Sequence, residues 1–123
     1  MEDKNQNNNI IFYTTPMGNV KIDVVFNEET FWLNQKRMAE LFGCSTDNIS
    51  LHIKNIFKEN ELQPNLVTEE FSVTASDGKN YKNKFYNLDA IIAVGYRVNS
   101  HQATQFRIWA TQTLREFNCP IWV

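Results

Sequence analysis

Two cysteines, four isolated glycines and no long apolar run in 123 residues exclude several kinds of protein before any element is placed. Cys44 and Cys119 cannot build a disulfide framework. One bridge between them stays compatible with the sequence, but nothing requires it, and so few cysteines fit a reduced, cytoplasmic setting. With His52 and His101 they lie scattered, without the short ligand spacings of a metal site. No metal and no cofactor is expected. The N-terminus lacks the layout of a signal peptide, and no stretch reaches the length of a membrane span, so no membrane role is expected. The glycines form no phosphate-cradling loop. Neither histidine has an obvious carboxylate or nucleophile partner in the sequence, and no activating base accompanies Cys44 or Ser45. The sequence points away from an enzyme, with no catalytic residues.

What is present is a globular composition. Apolar residues make up 42% and aromatics 13%, enough for one domain that buries about two-thirds of its unfolded surface. Residues 1–9, "MEDKNQNNN", form a polar tract with the composition of disorder. Residues 10–117 hold the patterned domain, and 118–123 form an atypical tail that suggests truncation. The net charge of −2 is unevenly spread. Residues 36–58 carry Lys36, Arg37, Lys54 and Lys58 against Glu40 and Asp47. Residues 59–70 carry four glutamates and no cation, whereas 71–115 carry six Lys or Arg against Asp77 and Asp89.

Hydrophobic period and turn chemistry place the elements. "IIFYTTPMGNVKIDVVF" predicts two strands around a Pro16–Gly18 turn, with Val20, Ile22 and Val24 alternating against Lys21 and Asp23. "FWL" at 31–33 predicts a short third strand. Asn34 stands where a helix cap belongs, ahead of a helix over Gln35–Phe42. Gly43 can take the left-handed conformation that ends it, and Ser45 caps a second helix over Thr46–Asn60. "ELQPNLVTEE" is a linker, and "FSVTASDGKNYKNKFY" predicts a hairpin turning tightly at Asp77–Gly78. Asn87 caps a buried helix over "LDAIIAVGYRV". Asn99–Ser100 then starts a final helix, about His101–Phe117, whose stripe is Ala103, Phe106, Ala110, Thr113 and Phe117, flanked by Trp109 and Leu114.

Two helices meeting at a glycine turn are the shape of a helix-turn-helix, in which the second helix reads the major groove. Ala39, Gly43 and Ile49 supply the small residue, the turn and the apolar contact of such a crossing, although His52 occupies a position where an apolar residue is common. The outward residues of the second helix are Thr46, Ser50, Leu51, Lys54 and Lys58. Asp47 shares that side and suits the helix N-terminus electrostatically. Lys36, Arg37, Lys79, Lys82 and Lys84 are the expected phosphate contacts, the last three on a hairpin acting as a wing. The expected fold is α+β, a winged-helix-like domain with an N-terminal hairpin, a helix-turn-helix, a hairpin wing and two C-terminal helices. The expected partner is double-stranded DNA, bound by a homodimer that could use Ile108 of the last helix. The competing expectation is a protein-interaction domain binding a repressor, toxin or virulence partner through Leu51 and Ile108.

"NQKRMAELFGCSTDNISLHIKNIFKENEL", "TASDGKNYKNKFYNLDAIIAVGYRVNS" and "QATQFRIWATQTLREF" resemble the N-terminal region of the RhuM-like virulence-protein family, over about Phe12–Phe117. The resemblance implies a bacterial, mobile-element-associated DNA-binding domain, distantly similar to phage antirepressor N-terminal domains. Some relatives continue into a Fic-type domain. Here His101 is followed by "QATQF", not by the Fic phosphate loop, so that activity does not carry over. The tail "NCPIWV" departs from the family's usual continuation.

Overall fold

The computed structural model describes residues 9–16, 18, 20–74 and 77–117. The tract 1–8 and the tail 118–123, both singled out in the sequence, lie outside the described residues.

The elements run β1 (Asn9–Thr14), β2 (Lys21–Asn27), β3 (Thr30–Leu33), α1 (Gln35–Phe42), α2 (Thr46–Lys58), α3 (Pro64–Val67), β4 (Thr68–Thr74), β5 (Asn80–Asn87), α4 (Leu88–Val98) and α5 (Ser100–Glu116). All five strands form one antiparallel sheet in the order β1-β2-β3-β5-β4. The fold is α+β. Nothing in the sequence joins the N-terminal hairpin to the lysine hairpin, yet Trp32 pairs with Asn87 and Leu33 with Tyr86. That short ladder joins the two hairpins into one sheet at the base of the lysine hairpin, with Lys79, Lys82 and Lys84 lying beyond the pairing with β3.

Strand alternation sorts residues onto two faces. Tyr13, Ile22, Val24, Phe31, Leu33 and Tyr86 turn toward the helices and join one core with α1, α2, α4 and α5. Val25, Trp32 and Phe85 turn the other way and form a small cluster of their own with Ile10. There the Trp32 indole N–H donates to the Asn27 carbonyl at 2.9 Å, which satisfies the polar atom of a buried ring. The last helix lies across β1 to β3. Phe106 meets Tyr13 edge-on at 5.1 Å between ring centroids, and Trp109 stacks on Phe31 at 5.0 Å. Phe117 closes against Phe26. Ala103, Phe106 and Ala110 of the predicted stripe are buried with the flanking Leu114, Thr113 is half-buried, and Phe117 and Ile108 are exposed.

Two local departures have physical causes. The segment read as a linker contains α3, begun by Pro64 at its first turn, and gives up Thr68, Glu69 and Glu70 to β4. Pairing with β5 overrides the weak strand preference of two glutamates. Between β2 and β3 the chain turns at Glu28 (φ 54°) and Glu29 (φ 62°), with Asn27 and Thr30 the last paired residues. Two residues with positive φ are what a tight hairpin needs, but glutamate is not the residue that signals it. On the lysine hairpin Gly78 has φ 84°, in the turn the sequence places at Asp77–Gly78.

Candidate nucleic-acid interface

The α1–α2 corner forms from local chemistry. The Asn34 side-chain carbonyl accepts from Arg37 N–H at 2.9 Å, and Ser45 Oγ accepts from Asn48 N–H at 3.1 Å. Each cap satisfies a backbone donor that the first helical turn leaves open. Gly43 adopts φ 71°, ψ 42°. Its N–H and that of Cys44 both donate to the Ala39 carbonyl, ending α1 in the left-handed turn that glycine permits.

The corner is held from behind. Met38, Ala39, Leu41 and Phe42 are buried on α1, as are Ile49, Ile53 and Ile56 on α2. Ile53 takes the apolar place that His52, half-buried beside it, does not fill. A Cβ built on Gly95 of α4 would fall 2.6 Å from the Phe42 ring and 2.7 Å from the Ala103 Cβ. Glycine is thus what lets α1, α4 and α5 converge. The Asn99 amide adds a 3.4 Å hydrogen bond to the Phe42 carbonyl, and its Oδ1 caps α5 by accepting from Gln102 N–H.

On the outer side of α2, Thr46, Leu51, Lys54 and Lys58 are exposed and Ser50 is half-buried, with Asp47 in the first turn. Leu51 is 54% exposed, a large apolar side chain with nothing over it among the described residues. This is the face the sequence predicts.

The five expected phosphate contacts divide. Lys36 and Lys84 line one open recess of about 330 Å³, together with Asn34, Gln35, Asn83 and Tyr86. The Gln35 amide donates to the Tyr86 hydroxyl at 3.0 Å and so ties the start of α1 to β5. Lys82 lies two residues from Lys84 on the same strand face, and both are exposed. Lys79 is exposed in the turn, where its N–H donates to the Asp77 carboxylate. Arg37 is diverted. Its guanidinium reaches Glu40 at 3.1 Å and Asp23 at 3.9 Å, so much of its charge is neutralised inside the domain. Lys54 and Lys58 do not line the recess.

Acidic neighbours temper the field. Glu70 stands directly across from Lys84 in the β4–β5 ladder, and Ser72 across from Lys82. An exposed cross-strand pair of opposite charge is worth about 0.2–1 kcal/mol, too little to remove Lys84 from use by a polyanion. Of the remaining cations in the C-terminal half, Arg97 donates to Glu59 at 2.7 Å and Glu61 at 2.8 Å. These hydrogen bonds hold its guanidinium charged above the usual arginine range and pin the end of α2 to α4. Arg107 donates to the Tyr96 hydroxyl, and that contact draws the phenol below its ordinary range. Lys36, Lys79, Lys82 and Lys84 have no such ion pair among the described residues and are the candidate contacts nearest the recess.

Among the described residues, no cluster of three or more histidine, cysteine, aspartate or glutamate side chains could hold a metal. Among them too, no helix is long and apolar enough to cross a membrane. Sequence reasoning missed Gln35, Asn83 and Tyr86 at the recess. They come together only through the β3–β5 ladder, which no local pattern announces.

An α+β domain whose helix corner abuts a lysine-bearing sheet edge is the class these features define. The model of the Virulence protein RhuM family matches residues 66–123, which makes the stretch from the end of α3 through α5 RhuM-like. The match takes in the tail but not the α1–α2 corner. No curated protein and no solved structure matches the chain.

Proposed function

We propose that this domain is a DNA-binding regulatory module of a virulence- or mobile-element-associated bacterial protein. The observation that carries the proposal is the shared recess of Lys36 and Lys84, with Lys82 on the same strand face. It joins the helix corner to the lysine hairpin, two parts of the chain almost fifty residues apart. Lysine suits a phosphate track because a mobile point charge needs no fixed geometry. In this reading Lys36, Lys79, Lys82 and Lys84 grip the backbone, and α2 enters the major groove. There Lys54 reaches guanine or phosphate, Ser50 a base edge, and Leu51 a thymine methyl. Arg37 holds α1 against β2 and stays off the DNA.

Salt dependence tests the proposal. Four lysine–phosphate contacts give a log–log slope of about −3 to −4 for duplex binding, and removing Lys36 and Lys84 together lowers its magnitude by about 2. Duplex binding absent even at low salt overturns it. A second reading has its own support in the exposure of Leu51: the same fold docking a protein partner. Binding to that partner would respond little to salt and would fail in Leu51→Ser.

A further inference from the structure

We propose that β1 is a self-association edge, through which two copies of this chain pair antiparallel and extend one sheet across the pair. The sheet has two outer strands, and they are treated differently. β4 carries Glu69 and Glu70, charges of the kind that keep an edge from pairing with its own copy. β1 reads "NIIFYT", with no charge and no proline over six residues. Its inner side pairs with β2 along its whole length, and its outer side pairs with nothing among the described residues.

The free backbone groups of such an edge accept only another extended segment. Charge and symmetry choose the second copy. Antiparallel β1–β1 pairing sets uncharged residues against uncharged residues, whereas β4–β4 pairing would set glutamates together. A β1–β4 contact is head-to-tail and would not close on itself. Phe12 is 47% exposed on this strand, partly roofed by Lys21, whose ammonium lies 4.0 Å from the ring centroid. Beside a second β1 the ring gains an apolar neighbour and keeps its cation. The ladder is only about 20 Å long. It falls short of the roughly 800 Å² per partner of a standard interface, so association is weak and concentration-dependent.

Sedimentation equilibrium on the full chain, from about 1 µM to about 500 µM, spans the range expected of so small an interface. The mass should climb toward twice the monomer value. Phe12→Lys and Thr14→Lys place a charge at two exposed points of the strand. In an antiparallel pair centred on Phe12 the first faces its own copy and the second adds two cations to the same short ladder, so both should weaken association, Phe12→Lys by at least about tenfold. Thr14→Lys keeps the test valid should Phe12→Lys fold poorly. Hydrogen exchange should slow in β1 and not in β4 as concentration rises. A monomer mass throughout, a dimer unchanged by both substitutions, or protection confined to β4 would each overturn the proposal. None of these outcomes depends on DNA binding.

Discussion

Replacing Glu28–Glu29 by Asn-Gly should raise the stability of the domain, although neither side chain contributes to the core. Both residues sit at positive φ in the β2–β3 turn, at 54° and 62°. An L-residue in the left-handed region costs about 1–2 kcal/mol, less for asparagine and nothing for glycine. Against that gain, glycine adds about 0.5–1 kcal/mol of chain entropy to the unfolded state. The net expectation is about 1–2 kcal/mol, or a rise of about 4–8 °C in Tm for a domain of this size. Thermal unfolding followed by circular dichroism reads it directly. The control is Glu28→Ala with Glu29→Ala, which removes both carboxylates and keeps the strained backbone. It should change stability by less than about 0.5 kcal/mol. If the alanine pair stabilises as much as Asn-Gly, adjacent charge and not backbone conformation is the cause, and the reasoning fails.

The packed rear of the helix corner gives a second expectation: Gly95→Ala should lower stability by about 1–3 kcal/mol, since the new methyl meets Phe42 and Ala103 within 3 Å. Ala39→Leu should do comparable damage at the α1–α2 crossing, seen as a lower urea midpoint with an unchanged slope. Lys54→Glu should weaken duplex binding in a fluorescence titration and leave Tm within about 1 °C, because the site is exposed. Tyr13 gives the pH test. Burial raises its phenol above the ordinary value of 10.0, so the stabilising neutral form is fully present below pH 10. The stability it contributes is lost as pH rises through the higher folded value. Stability measured from pH 9 to 11 should therefore fall less in Tyr13→Phe than in the parent chain.

The helices were legible because their signals are local. Asn34, Gly43, Ser45 and Asn87 each act within a turn of their own helix, and α1 and α4 begin and end where capping chemistry places them. The Ile49–Ile53–Ile56 face needed only the 3.6-residue period. The sheet was legible strand by strand but not as a whole. The β3–β5 ladder joins residues more than fifty positions apart, and its two pairs leave no trace in composition. The start of β4 was hidden for a related reason, since Glu69 and Glu70 are poor strand formers on their own and are carried by their partners on β5. The candidate site residues fared likewise. Exposure of Lys54 and Lys84 follows from period, whereas diversion of Arg37 depends on Asp23, brought near by the fold alone. The Gln35–Tyr86 bond that shapes the recess is likewise tertiary.

The strand order carries a consequence for a pair joined at β1. Along its sheet the two β5 strands stand seven steps apart, about 34 Å at the usual spacing between neighbouring strands. Neighbouring strands also twist by about 20–25°, so the two recesses would face widely different directions. If each holds duplex as proposed, the pair would bridge two separate segments instead of lying along a single straight one.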